Sequence, residues 1–174
     1  MSIEIFILSD TQLDSIAEWQ RAIDAEEFPL RLADDIPLDT RGGSLVAYID
    51  DSETRIEYRV EDFGRLKDLY KAVNFGRDWK CLLAIPWIHG FDGLTAAWMA
   101  STAYARATGG MVFDPQEGKV FNSSMALEIV RDIVRTRPEA ETAVRNFVQQ
   151  LSPKSPEAEP VLKTLMVRLS TKSR

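Results

Sequence analysis

The sequence predicts an α+β domain with a mixed or antiparallel sheet, two hairpins, several helices packed against the sheet, and a helical C-terminus. Three observations predict this fold class. Short runs rich in Ile, Val, Tyr and Phe alternate with segments of helical periodicity. Two pairs of these runs are separated only by turn residues, as in antiparallel hairpins. After the second of these pairs, the chain carries helical patterns only.

The chain is expected to form one core domain followed by a C-terminal extension. Its 174 residues are sufficient for one hydrophobic core. Its hydrophobic share of 45% and charged share of 28% are ordinary for a globular protein. We assign the α+β core to residues 1–151. Residues 152–174 are predicted to be a linker and an amphipathic helix that docks on the core or on a partner.

The first elements follow from local patterns. IEIFIL (3–8) is apolar on both sides and predicts a buried strand. Ser9 or Asp10 is then expected to cap a helix. FPLRL (28–32) predicts a second strand, and residues 33–43 are a predicted loop because a proline and two glycines interrupt them.

The clearest hairpin covers residues 44–60. SLVAYID and RIEYRVE are rich in strand-forming residues, and the polar DSE between them supplies a turn. Because Ile56, Tyr58 and Val60 alternate with charged residues, one face should be buried and the other solvated. A helix is predicted from about 62 to 73. Its apolar stripe contains Phe63, Leu66, Leu69, Tyr70 and Val73.

A central strand and a small-residue helix follow. WKCLLAIPWI (79–88) is apolar on both faces, and its pairing is expected to bend or end at Pro86, which cannot donate a backbone hydrogen bond. LTAAWMASTAYARA (94–107) predicts a helix. Gly109 and Gly110 fit its C-terminus, where a left-handed residue is favoured. MVFD and KVF, joined by PQEG, predict the second hairpin.

The C-terminal third is predicted to be helical. Asn122 or Ser123 is expected to cap one helix. Pro138 is placed in the first turn of another helix that ends at Leu151. SPKSPEAEP predicts a linker, and VLKTLMVRLS predicts the final amphipathic helix.

Negative charge is concentrated towards the amino end. Residues 1–62 carry 16 acidic and 5 basic side chains, although the net charge of the chain is only −6. Such asymmetry indicates either a solvated surface that maintains solubility or a face that docks on a basic partner. Trp19 is interpreted as a surface anchor because it lies off the stripe formed by Leu13, Ile16 and Ile23. The residues expected to contact the partner are Asp34, Asp35, Asp39, Asp50, Asp51, Glu53 and Trp19.

Catalysis has one candidate pair. His89, the only histidine, follows the predicted central strand, and Asp92 could orient its imidazole. Asp92 is equally suited to cap the next helix. A small hydrolase or transferase using His89 and Asp92 is therefore the alternative to a binding protein. Cys81, the only cysteine, is expected to pack within its apolar run.

Metal, cofactor, nucleic-acid and membrane sites are not predicted. The acidic triplets do not match a calcium loop, and the glycine pairs do not match phosphate-binding motifs. A pI near 4.9 argues against binding to nucleic acid. No apolar run is long enough to span a membrane, and no signal peptide is predicted. We expect a cytoplasmic protein without a cofactor, and a homodimer stays open.

AYARATGGMVFDPQEGKVF, after an alanine-rich helix, resembles C-terminal segments of small bacterial immunity proteins that neutralise polymorphic or contact-dependent toxins. The resemblance covers roughly residues 92–125. It implies a non-enzymatic cytoplasmic protein that binds a cognate toxin, commonly at the toxin's active site, and it transfers no catalytic residues. The expected function is therefore protein binding, with the acidic region contacting a basic toxin surface.

Overall fold

A computed structural model describes residues 3–33, 38, 41–87 and 90–150. These residues form an α+β fold with a helical C-terminal part, which confirms the predicted fold class. The chain divides into two compact units, Met1–Val134 and Arg135–Arg174. In chain order the elements are β1 (Ile3–Ser9), α1 (Ile16–Ala25), β2 (Leu30–Leu32), β3 (Gly42–Ile49), β4 (Ser52–Glu61), α2 (Phe63–Leu69), β5 (Cys81–Trp87), α3 (Gly90–Thr108), β6 (Met111–Asp114), β7 (Lys119–Asn122) and α4 (Ser123–Gln150).

The strands of the described residues form one antiparallel sheet in the order β2-β3-β4-β5-β1-β6-β7. β5 lies at its centre, as its two-sided apolar sequence predicts. β1 pairs with β5 on one side and with β6 on the other. At Pro86 the two sides of β5 differ: pairing with β1 continues to Trp87, whereas pairing with β4 ends at Ala84.

Side chains alternate between two cores, one on each face of the sheet. On the first face, Ile5 and Ile7 of β1 pack with α1, α3 and the start of α4. On the second face, Phe6 and Leu8 pack with α2 and the segment that follows it. Residues two apart on a strand share a face, so β1 contributes to both cores.

The two helices nearest the amino end differ from their predicted bounds. α1 is capped by Ser15, whose hydroxyl accepts from the Glu18 N–H, so the expected cap at Ser9 or Asp10 is wrong. Ser9 is instead the buried last residue of β1. α2 ends at Leu69, whose side chain is 69% exposed and therefore does not belong to the predicted apolar stripe.

The double glycine closes α3 as the sequence predicts. Gly109 has φ +64°, and its N–H donates to the Arg106 carbonyl. The Gly110 N–H donates to the Ala105 carbonyl at 2.7 Å. These two bonds form a Schellman motif, in which a left-handed residue satisfies the last carbonyls of a helix.

α4 is one helix where two were expected. It begins after Asn122, whose side chain accepts from the Met125 N–H at 2.9 Å, and this confirms the predicted cap. It continues to Gln150 with Pro138 inside it, so the predicted helix start at Pro138 is wrong. The predicted linker and last helix, 152–174, lie outside the described residues.

Candidate functional site

The β3–β4 turn places two of the predicted contact residues at its tip. Asp50 and Asp51 form a two-residue connection with φ +45° and +68°, and both side chains are exposed. Positive φ at both positions is typical of a type I′ turn, which short polar side chains tolerate. Glu53, also exposed, begins the outward-facing row of β4. The turn therefore lies one residue earlier than the DSE segment suggests.

A carboxylate from a distant part of the chain joins this tip. The Ser52 hydroxyl donates to Asp92 Oδ2 at 3.2 Å. Asp92 lies in the first turn of α3, which begins at Gly90, so it is not the N-cap of that helix. Negative charge is favourable there because of the helix dipole. We call Asp50, Asp51, Glu53 and Asp92 the acidic end.

Farther along β4, negative charge is compensated. Glutamates alternate with Arg55 and Arg59 along the outward face of the strand. Arg59 contacts Glu4 at 2.6 Å and Glu61 at 3.2 Å. The hydrogen bond that Arg59 donates to Glu4 raises the pKa of the guanidinium, although partial burial opposes this shift. The outward face of β4 therefore carries alternating charges of both signs, whereas Asp50, Asp51 and Glu53 lie close together at the turn.

The prediction that Trp19 is a surface anchor is wrong. Its side chain is 0% exposed and lies in the first core. The indole N–H donates to the Ala100 carbonyl at 3.0 Å. Because α1 begins at Ile16, the spacing Ile16, Trp19, Ile23 is one helical face, and Trp19 belongs to the buried stripe. The remaining predicted residues Asp34, Asp35, Asp39 and His89 lie outside the described residues.

A second candidate site was not predicted from the sequence. A cavity of about 550 Å³ opens at the surface of the Met1–Val134 unit. We call it the tryptophan pocket. Its lining residues are Ile5, Trp87, Leu94, Trp98, Asp114, Gln116, Glu117, Lys119, Phe121 and Ile129.

Strand register and helical spacing explain how the pocket is built. Asp114 pairs across the second hairpin with Lys119, and Val112 pairs with Phe121, so Lys119 and Phe121 lie on the face of the first core. Leu94 and Trp98 are four residues apart and share one face of α3. Trp98 contacts Phe121 edge to face, with ring centroids 6.1 Å apart.

The floor of the pocket is apolar and its rim is charged. Lys119 Nζ lies 3.4 Å from Glu117 Oε2, and both side chains are well exposed, so this ion pair adds little stability. Asp114 is half-buried, and its Oδ1 accepts from the Gln116 N–H at 2.8 Å. The turn chemistry of PQEG explains this contact but not the position of the carboxylate beside the aromatic rings. The sequence contains one signal for the pocket, which is the spacing that places Leu94 and Trp98 on one face of a predicted helix.

Two other titratable groups are perturbed by burial. Desolvation raises the pKa of the Cys81 thiol, and nearby Asp10 raises it further, so the thiolate is disfavoured. Burial also raises the pKa of the Tyr104 phenol, although the Leu13 N–H, which donates to its oxygen at 3.1 Å, opposes this shift. In the described part of the chain, no group of three or more His, Cys, Asp or Glu side chains is arranged to hold a metal ion.

Tyr104→Phe tests the buried phenol. A raised pKa in the folded state contributes stability below the ordinary tyrosine pKa of about 10, and that stability is lost as the pH rises above it. The variant should therefore lose less free energy of unfolding between neutral and strongly alkaline pH than the wild type. At neutral pH it should be about 1 kcal/mol less stable because the Leu13 N–H loses its acceptor. Urea unfolding at both pH values measures the difference.

Tyr48→Phe is the matched control, because Tyr48 is only half-buried and lies on the outward face of β3. An alkaline loss of stability that is equally steep in the wild type and in Tyr104→Phe would contradict the assignment.

Within the residues that the structure describes, no helix has the length and hydropathy needed to cross a bilayer. Comparisons of the chain with protein-family models, with curated proteins and with solved structures return no match.

Proposed function

We propose that the protein is a protein-binding module that uses the tryptophan pocket to hold its partner. The pocket itself is the observation that carries this proposal. It combines an open apolar floor, built from two indoles and a phenyl ring, with a rim of charged and amide side chains. Protein interfaces have this organisation, in which aromatic groups near the centre supply most of the binding energy and polar groups surround them.

The acidic end supplies a second element of the interface. Asp92 of the acidic end lies two residues before Leu94 of the pocket on the same helix. The two side chains point to different faces of the helix, so a basic partner would contact both only by covering this end of α3. Exposed charges of this kind increase the association rate constant more than they increase the affinity.

Immunity against a bacterial toxin is the biological role we propose. It is supported by the resemblance of residues 92–125 to immunity proteins and by the position of that segment, since Leu94, Trp98, Asp114 and Phe121 of the pocket all lie in it. The protein would act in the cytoplasm, without a cofactor, on a toxin domain with a basic surface. No contact among the described residues specifically favours the hydrolase or transferase alternative.

Leu94→Arg should weaken binding to a toxin domain encoded beside this gene. The half-buried Leu94 lines the pocket, and a guanidinium at this position would occupy it. We expect the Kd to rise at least about 30-fold, because this is the usual effect of losing one hot-spot residue from an interface. Isothermal titration calorimetry measures the Kd, and growth of cells that co-express the toxin domain measures protection.

Leu69→Arg is the matched control, because Leu69 is exposed on α2 and belongs to neither candidate surface. Circular dichroism melting of both variants separates loss of binding from loss of folding. A folded Leu94→Arg variant that binds and protects like the wild type would overturn the proposal. The contribution of the acidic end is tested by the association rate constant, which should fall as ionic strength increases.

A further inference from the structure

We infer that the tryptophan pocket accepts an arginine side chain of the partner protein. This inference rests on the proposed function and names the chemistry of the group that the pocket holds. It follows from three features of the pocket: its aromatic walls, the sign of its rim, and an arrangement that the chain itself uses elsewhere.

The walls suit a flat cation with an apolar stem. Trp98, which is only 5% exposed, and Phe121 meet at an interplanar angle of 68°, so the pocket has two differently oriented aromatic walls. Trp87 adds a half-buried indole and is the more exposed of the two tryptophans. Aromatic faces attract cations, and tryptophan does so most strongly. Leu94 and Ile129 provide aliphatic surface for the three methylene groups of arginine, which are commonly buried while the charged end stays polar.

The rim has an excess of negative charge. Of the described residues that line the pocket, Lys119 is the single basic one, and it is paired with Glu117. Among the described residues, no cationic nitrogen lies within 4.0 Å of the Asp114 carboxylate, which accepts only the Gln116 N–H. Asp114 therefore offers a half-buried acceptor for a charge-assisted hydrogen bond from a guanidinium.

An indole, a carboxylate and an arginine side chain occur together on another surface of this chain. The Arg77 guanidinium lies 3.9 Å from the centroid of the Trp79 ring and 2.5 Å from Asp10 Oδ2. The pocket presents an indole and a carboxylate without the arginine. Arginine suits this role better than lysine because its planar group can stack on an indole and still donate to a carboxylate in the same plane.

The test uses N-acetyl-arginine amide as the probe, titrated into the full-length ¹⁵N-labelled protein. The indole N–H resonances of Trp87 and Trp98 should shift with a Kd on the order of millimolar, as for a single small ligand. Those of Trp19, which is fully buried and does not line the pocket, and Trp79, which lies on the other face of the sheet, should not shift. N-acetyl-citrulline amide, which has nearly the same shape without charge, and N-acetyl-norleucine amide, which is apolar, should bind at least about tenfold more weakly.

Asp114→Asn should weaken binding of the arginine probe by about tenfold, because a neutral amide replaces the carboxylate. Asp68→Asn, at an exposed position on α2, is the matched control and should bind like the wild type. The same spectra show whether each variant is folded.

Several results would overturn the inference: equal binding of citrulline or norleucine amide, no shift of Trp87 and Trp98, or unchanged binding by Asp114→Asn. None of these would refute protein binding, since an apolar anchor could still occupy the pocket. Conversely, a Leu94→Arg variant that keeps full affinity for the toxin domain would refute the proposed function even where the arginine probe binds.

Discussion

Trp19→Ala is expected to lower the free energy of unfolding by about 3–5 kcal/mol, the usual cost of truncating a fully buried tryptophan. The ring packs edge to face against Tyr58 and Tyr104, with centroid distances of 6.0 Å and 5.3 Å. Its removal would leave a cavity between α1, α3 and the sheet and would also remove the hydrogen bond to the Ala100 carbonyl. Urea unfolding monitored by circular dichroism measures the change.

Two control variants locate the origin of this effect. Trp19→Phe keeps an aromatic ring but not the indole N–H, so it should cost less than half as much as Trp19→Ala. Leu69→Ala removes an exposed side chain and should change stability by less than about 0.5 kcal/mol. If Trp19→Ala were as mild as Leu69→Ala, the tryptophan would not be a core residue, and its interpretation as a surface anchor would return.

Of the two alanine substitutions in the double glycine, Gly110→Ala should cause the larger loss of folding stability. A Cβ at Gly110 would lie 2.4 Å from the Leu8 carbonyl oxygen, which is a backbone atom of β1. Relief of this clash requires β1 or the end of α3 to move, and overpacking of this kind costs at least about 2 kcal/mol. Thermal and urea unfolding measure the loss.

The adjacent glycine provides the comparison. A Cβ at Gly109 would meet no atom within 4 Å, so Gly109→Ala carries only the cost of positive φ, about 1 kcal/mol. The two neighbours thus separate a steric cost from a conformational one. A smaller loss for Gly110→Ala than for Gly109→Ala would show that β1 does not approach the helix end this closely.

Local patterns predicted the elements well where one physical rule dominated. The alternation in β4 placed Ile56 and Tyr58 in the core and the charged residues outside. The order of strands and helices through β7 also agrees with the sequence, because periods of 2 and 3.6 differ clearly over these segments. The cap at Asn122 was found because its side chain precedes a strongly periodic helix.

The failures occurred where two local signals competed. Ser9 and Asp10 are good caps, but β1 uses Ser9 as its last residue and Ser15 caps α1 instead. Leu69 continues the helical period of α2, although the helix ends there. Pro138 suits the first turn of a helix, yet the structure places it inside α4. For Ser9 the deciding contact is its pairing with Cys81, which lies far outside the local window.

The tryptophan pocket could not be predicted from local patterns, because they do not give the order of the strands in the sheet. Its lining comes from β1, β5, α3, β6, β7 and α4 together with the β6–β7 turn, which are distant in sequence. Their proximity requires the strand order, above all the position of β1 between β5 and β6. The contact between Ser52 and Asp92 likewise joins residues that are 40 positions apart in the sequence.

The position of β1 also governs when the protein can fold during synthesis. Both of its neighbours, β5 and β6, leave the ribosome dozens of residues after it. Until then the nascent chain holds an isoleucine-rich segment with no pairing partner, which is a risk for aggregation. The β3–β4 ribbon can close earlier because its strands are joined by two residues. Translation must therefore pass β6 before the sheet can be completed around its earliest strand.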